Sequence, residues 1–217
     1  MTGALDALAR MLDLGGPVVV LLLAVSVVTL AVVLYKVWQF RAAGVGRHRA
    51  LSRAVDLWAA GDRDGARRAL DQTQGFLAPV ARLAMTGRPD PGFARRLEAE
   101  AETRFARLST GFRLLDSVAQ LAPLLGLFGT VLGMIEAFRA LQAAGDRVDP
   151  SILAGGIWVA LLTTAVGLVV AIPAALVLSW LEGRLEADRA FADVMIARIL
   201  APDRAPDAVA RTRPDAA

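Results

Sequence analysis

The sequence predicts an all-α membrane protein with three transmembrane helices, of which the second and third are long and extend into the cytoplasm. The 217 residues are 56% hydrophobic and have a mean hydropathy of +0.51, which is more apolar than an ordinary water-soluble domain. Charged residues make up 21% of the chain and lie between three uncharged stretches. This separation is typical of a membrane protein with hydrated loops.

The three uncharged stretches are each long enough to cross a bilayer as a helix. The first, 14–35, has 22 residues, the second, 117–135, has 19, and the third, 151–181, has 31. At 1.5 Å per residue, about 20 residues cross a hydrocarbon core of about 30 Å. The third stretch is longer than one crossing needs, so we expect its helix to tilt or to project beyond the bilayer.

The first stretch is interpreted as a retained transmembrane helix and not as a cleaved signal peptide. Asp6 and Asp13 precede it, and its apolar run is longer than a typical signal sequence. Tyr35, Lys36 and Trp38 follow it, which is the composition of an interfacial anchor.

The distribution of Lys and Arg predicts the orientation. Of the 24 basic residues, 21 lie in 36–113 or after Leu181, and only Arg10, Arg139 and Arg147 lie elsewhere. The positive-inside rule then places the N-terminus outside, on the side called periplasmic below, and the C-terminus in the cytoplasm. The predicted segments are a periplasmic N-terminus (1–13), transmembrane helix 1 (14–38), a cytoplasmic helical segment (39–113), transmembrane helix 2 (114–138), a periplasmic link (139–150), transmembrane helix 3 (151–181), a cytoplasmic helix extension (182–200) and a disordered tail (201–217).

The cytoplasmic segment has the apolar periodicity of amphipathic helices, with a turn expected at Gly61 and Asp62. From Gly92 onward no stop signal is evident, so we expect one helix to continue to about Leu141. Its charges are interpreted mainly as a solvated face.

The composition also excludes several kinds of site. The chain has no Cys and a single His, His48, so a disulfide, a Cys-ligated metal, a multi-His metal site and a His-based catalytic triad are excluded. We therefore predict no enzyme activity, no metal and no cofactor. The net charge of +3 does not favour nucleic-acid binding, and His48 is expected to be an ordinary surface or interfacial residue without a partner.

Small residues form a stripe along the second and third predicted spans. Such stripes let helix backbones approach closely inside a membrane, so these faces are expected to meet protein, as contacts between subunits, while the Leu and Val faces meet lipid. The helix-packing positions are Gly126, Gly129, Gly133, Gly156, Ala160, Gly167 and Ala171.

Three threonines, Thr130, Thr163 and Thr164, lie at mid-membrane depth in these stripes. Each hydroxyl could bond a carbonyl of its own helix and serve packing alone. Alternatively, the threonines could form a polar path for protons or water between the two helices. Spacing alone leaves both interpretations open.

The chain resembles the MotA/TolQ/ExbB proton channel family, and most closely ExbB and TolQ. The segment from Ala122 to Ile135, APLLGLFGTVLGMI, is similar to their second-helix signature. The segment from Gly156 to Ala174, GIWVALLTTAVGLVVAIPA, is similar to their third-helix signature. Together with the order of the spans, the similarity covers about residues 14–200.

The resemblance implies a location in a bacterial inner membrane, a function and partners. Members of this family form pentamers around single-span proteins resembling ExbD or TolR, and proton flow through the assembly drives transport or cell-envelope work. The partner supplies an Asp in the membrane, and threonines matching Thr130 and Thr164 line the path.

One position departs from the ExbB and TolQ pattern. The Glu that they carry in the third helix aligns with Val159, so neither the second nor the third uncharged stretch contains an acid. The nearest acids, Asp116 and Glu136, are interpreted as interfacial. Because MotA-type members also lack this Glu, its loss does not exclude conduction, but it leaves the carboxylate to the partner.

Other interpretations remain open at this point. Pro173 removes a backbone hydrogen bond in the third helix and could be a tolerated kink or a hinge. The chain could also be a non-conducting oligomeric scaffold or a relative of the flagellar stator MotA. The cargo and the choice between H⁺ and Na⁺ are not predicted.

Overall fold

The computed structural model describes residues 2–88, 90–143 and 150–201, with the backbone alone described for 2–15 and 152. All regular structure in these residues is helical, as predicted. The seven helices are α1 (Thr2–Ala43), α2 (Arg49–Ala59), α3 (Arg63–Asp71), α4 (Ala78–Thr86), α5 (Phe93–Ser109), α6 (Phe112–Ala143) and α7 (Pro150–Leu200).

Three helices are long and apolar enough to cross a membrane, namely Gly16–Ala43 of α1, all of α6 and Leu153–Leu200 of α7. The three predicted spans are thus confirmed as helices. Helix α1 is interrupted at Gly16, where φ is 62°. Residues 202–217 of the predicted tail and 144–149 of the predicted periplasmic link lie outside the described residues.

The expectation of a single helix from Gly92 to Leu141 is wrong. Helix α5 ends at Ser109 and α6 begins at Phe112. Gly111 separates them with φ of 90°, a left-handed conformation that is open to glycine at little cost and that a continuous α-helix cannot contain. The second long helix therefore begins at Phe112 and does not include the charged residues of α5.

The chain divides into two compact units. The first comprises Met1–Lys36 and Gly111–Trp180 and contains the apolar parts of α1, α6 and α7. Its buried cluster is Val18, Leu22, Ala122, Val170 and Ala171. Large apolar side chains such as Val27 (69% exposed) and Val169 (71% exposed) cover its outside, as expected for a surface that meets lipid or a partner helix.

The second unit comprises Val37–Thr110 and Leu181–Ala217. Its helices are short and are delimited by local signals. The Asp62 carboxylate accepts a hydrogen bond from the Gly65 N–H at 2.8 Å and caps α3, which confirms the turn predicted at Gly61 and Asp62. Helix α4 begins with a proline in its first turn. Buried side chains of α5 and the end of α7 include Leu97, Phe105 and Met195.

Candidate functional site

The two small-residue stripes of α6 and α7 face each other within one chain. A methyl group added at Gly167 would lie 2.6 Å from the Ala122 carbonyl oxygen, and one added at Gly126 would lie 2.9 Å from the Thr163 carbonyl oxygen. Real side-chain carbons do not approach backbone so closely, so glycine is required at both positions. The backbones of α6 and α7 are therefore in direct contact at this level.

The remaining packing positions belong to the same contact. A methyl group at Gly133 would lie 3.3 Å from the Ala160 side chain, one at Gly129 would contact Thr163, and one at Gly156 would contact Ala137. Ala160 and Ala171 are buried. The five predicted packing glycines therefore all lie in the contact between α6 and α7 of one chain.

Thr163 connects the two helices. Its side chain is 2% exposed, and its hydroxyl lies 2.7 Å from the Ala160 carbonyl oxygen of α7 and 3.2 Å from the Gly126 carbonyl oxygen of α6. A hydroxyl has a single proton, so it donates to one of these oxygens at a time. The arrangement ties the α7 side chain to the α6 backbone.

Thr130 is bound within its own helix. Its hydroxyl donates to the Leu127 carbonyl oxygen at 2.6 Å, which is the local back-bonding that sequence alone left open. The side chain remains partly exposed.

Thr164 differs from both. Its Oγ1 atom is buried and has no hydrogen-bond partner among the described residues. A buried hydroxyl without a partner costs about 1–3 kcal/mol, and native structures usually satisfy such groups with protein or water. Of the three predicted pathway residues, Thr164 alone has an unsatisfied hydroxyl in this part of the chain.

No acid lies near these threonines within the two uncharged stretches. Val159, the predicted counterpart of the ExbB and TolQ Glu, is partly buried, and its neighbours Trp158 and Leu161 are 64% and 61% exposed. Asp116 and Glu136, at the two ends of the second stretch, are exposed. Among the described residues, neither uncharged stretch supplies a carboxylate at the level of Thr164.

Pro173 lies inside α7, which continues through it as a helix. Beside it, a cleft of about 210 Å³ opens between α1 and α7. Thr29 lies in this cleft, and its hydroxyl donates to the Val25 carbonyl oxygen of its own helix at 2.7 Å. The cleft walls are mostly apolar, so they add no second polar path.

The second unit contains a buried polar cluster that the sequence analysis missed. Asp188 of α7 is 1% exposed, and both of its carboxylate oxygens accept from the Gly46 N–H at 3.2 Å. His48 lies 3.0 Å from the same carboxylate through Nε2 and stacks on Phe191 at 4.2 Å between ring centroids. The expectation that His48 has no partner is wrong, because a residue 140 positions away supplies one.

Gly46 suits this cluster because of its backbone conformation. Its N–H donates to Asp188, and its φ of 78° is a left-handed conformation that other residues adopt at a cost. In the described residues, no group of three or more His, Cys, Asp or Glu side chains could hold a metal.

Comparison with known proteins gives several relatives. The chain is 47% identical over 68 residues to "Biopolymer transport protein exbB1" of Vibrio cholerae, covering 31% of this chain and 30% of the relative. It is 34% identical over 131 residues to "Putative biopolymer transport protein ExbB homolog" of Methanothermobacter thermautotrophicus, covering 58% and 46%. It is 36% identical over 96 residues to "Tol-Pal system protein TolQ" of Haemophilus influenzae, covering 44% and 42%. The matched region thus spans less than half the length of each relative.

A family profile matches a larger part of the chain. The match runs over residues 66–191, which is more than half of the sequence and includes Asp188 and the three threonines of the predicted path. The chain belongs to the MotA/TolQ/ExbB proton channel family.

Proposed function

We propose that this chain is the channel-forming subunit of an inner-membrane complex that is driven by the proton-motive force and energises transport or cell-envelope work. Family membership supports a proton channel, and the names of the similar proteins support biopolymer transport over other roles of the family. In this proposal the chain spans the membrane three times, with a periplasmic N-terminus and a cytoplasmic C-terminus, and forms a homo-oligomer, a pentamer by resemblance.

The observation that carries the proposal is the unsatisfied hydroxyl of Thr164. A hydroxyl can both donate and accept a hydrogen bond, so it can hold a water molecule in the path or take part in a proton relay with a neighbouring group. Thr130 and Thr163 already bond backbone carbonyls. We therefore assign Thr164 the role of hydrating the path and assign Thr163 the role of fixing α7 against α6.

The proposed channel needs a second protein. An ionisable group in the membrane is costly and usually functional, and the uncharged stretches 117–135 and 151–181 contain none. We propose that a single-span partner resembling ExbD or TolR supplies the Asp that exchanges protons.

The test is reconstitution of the purified complex in liposomes with a pH-sensitive dye inside. A pH gradient should drive proton entry only when a partner with a membrane Asp is present, and Asp→Asn in that partner should abolish entry. The mass of the detergent-solubilised complex gives the subunit count. Proton entry with this chain alone, or entry unaffected by the Asn variant, would contradict the proposal.

One observation favours a different role. The hydroxyl groups of Thr130 and Thr163 donate to backbone carbonyls. In addition, valine occupies position 159, the predicted counterpart of the acid in ExbB and TolQ. The alternative is an oligomeric membrane scaffold that does not conduct. An assembled complex with an Asp-bearing partner and no proton entry would support the scaffold, as would a natural partner whose single span has no acid.

A further inference from the structure

Helices α2 and α3 form a basic pocket that the proposed channel role does not use. They pack against each other and are joined by the short turn 60–62. The pocket has a volume of about 650 Å³, which is within the range of about 300–1,000 Å³ for small-molecule sites. Its charged and amide side chains are Arg49, Arg53, Asp62, Arg68 and Gln72.

The three arginines of this pocket are exposed and have no carboxylate partner among the described residues, unlike five other arginines of the same unit. Arg82, Arg96, Arg104, Arg189 and Arg198 each pair with a carboxylate. Arg49, Arg53 and Arg68 form no ion pair with any described residue, and the Nε of Arg68 donates to the Asp64 backbone carbonyl instead. The nearest acid along α2, Asp56, is paired with Arg198 at 2.9 Å.

The spacing of Arg49 and Arg53 also favours a bound anion. They are four residues apart on α2, one turn of helix, and like charges at this spacing destabilise a helix by about 0.2–0.5 kcal/mol. An anion bound between them would remove the repulsion. Guanidinium groups match phosphate oxygens in a two-point geometry, so phosphate is the anion that these side chains fit best.

The other end of the pocket has different chemistry. Asp62 lies in the turn, and its carboxylate accepts a hydrogen bond from the Gly65 N–H. Because the carboxylate is negatively charged, a phosphate is disfavoured at this end of the pocket. A carboxylate with free lone pairs accepts hydrogen bonds from hydroxyl groups, and the Gln72 amide can donate or accept. Leu57, Ala50 and Ala69 supply apolar wall between them.

We propose that this pocket binds a phosphate ester whose alcohol part carries hydroxyl groups, with the phosphate on Arg49, Arg53 and Arg68 and the hydroxyls toward Asp62 and Gln72. A glycerol phosphate group has this chemistry. It can come from the headgroup of phosphatidylglycerol or from a soluble glycerol phosphate. The site is independent of the channel role assigned to Thr164.

The test is isothermal titration calorimetry on the full chain in a neutral detergent. The probes are short-chain phosphatidylglycerol, phosphatidylcholine of the same chain length and sn-glycerol 1-phosphate. The test variant is Arg49→Gln with Arg53→Gln. The control variant is Arg67→Gln with Arg95→Gln, which removes the same charge from two exposed arginines that do not line the pocket.

We expect phosphatidylglycerol to bind more tightly than phosphatidylcholine, and the test variant to lose about 100-fold in affinity, about tenfold for each charged contact. The control variant should bind like the unmodified chain. Binding of glycerol phosphate would support a soluble source, and binding of phosphatidylglycerol alone would support a lipid source. Equal binding of the two lipids, equal loss in the control variant, or no binding of any probe would overturn the proposal.

Discussion

His48 Nε2 lies 3.0 Å from the Asp188 carboxylate, which also accepts from the Gly46 N–H. The carboxylate is almost fully buried, and the imidazole ring stacks on the ring of Phe191. A buried carboxylate is tolerated only when its oxygens are satisfied, and here one short segment, which contains Gly46 and His48 and is distant in sequence from Asp188, satisfies them. The contact fixes the turn after α1 to α7 within the second unit.

We predict that Asp188→Ala lowers the free energy of unfolding by about 1–3 kcal/mol, because it leaves the Gly46 N–H and His48 without their buried acceptor. Asp193→Ala is the matched control, since Asp193 is an exposed residue of the same helix. Thermal unfolding in detergent, followed by circular dichroism, measures both. Equal melting temperatures for the two variants would show that the cluster contributes no net stability.

We predict that Thr163→Val mainly lowers stability, whereas Thr164→Val mainly lowers proton flux. Thr163→Val removes the bond between α7 and α6 and should cost about 1 kcal/mol of stability. Thr164→Val removes a hydroxyl that has no partner in the described chain, so the protein should keep or gain stability while losing most of its proton flux.

Melting temperature and liposome proton flux, measured on the same preparations, separate the two effects. Thr130→Val belongs in the series because its hydroxyl bonds its own helix. Full flux in Thr164→Val, and in its combination with Thr130→Val, would remove the threonines from the proposed path and favour the scaffold.

We predict that Gly167→Ala destabilises the protein by about 1–3 kcal/mol, because overpacking of a tight interface forces the helices apart. Gly155→Ala is the control, since a methyl group there meets nothing within 4 Å. It should be neutral or slightly stabilising, because alanine is the better helix former. An equal loss in both variants would mean that helix propensity and not the contact with α6 is responsible.

We predict that Val159→Glu changes the pH dependence of proton flux, because it places a titratable group at the position of the family Glu. Val159→Gln has the same size as the Glu variant but does not titrate. The flux is measured across a range of pH for both. If the Glu and Gln variants give the same pH profile, position 159 does not contact the path.

We predict that a reporter at the N-terminus is periplasmic and that reporters after Asp64 or after Leu200 are cytoplasmic. The reason is the excess of basic residues in 36–113 and after Leu181. Alkaline phosphatase and green fluorescent protein fusions report the two sides. A cytoplasmic N-terminus would overturn the proposed orientation.

The long helices could be predicted because their signal is local. The uncharged stretches 117–135 and 151–181 lie inside α6 and α7, since a run of apolar residues of bilayer length has few other stable structures. The break at Gly111 was not predicted, because glycine can occur both inside a helix and at its end. Tertiary contacts determine which of the two conformations it adopts. A methyl group there would lie 3.3 Å from Lys36 Cε, a contact that no local pattern reveals.

The candidate site could be predicted as a set of residues but not as a set of roles. Thr130, Thr163 and Thr164 are equivalent in sequence, and their difference depends on which carbonyl each hydroxyl reaches across or along a helix. The pairing of His48 with Asp188 is harder still to predict, because the two residues lie 140 positions apart in the sequence. Such contacts depend on how distant segments pack.

The glycine contact between α6 and α7 has a consequence for how the protein is made. With Gly126 and Gly167 facing each other, each helix buries a strip of small residues whose close van der Waals contacts lipid chains would not reproduce. A nascent chain that has released α6 but not yet α7 would expose this strip to lipid. The two helices should therefore leave the translocon as a pair, and a chain truncated after Ala143 should be recognised and degraded by membrane proteases.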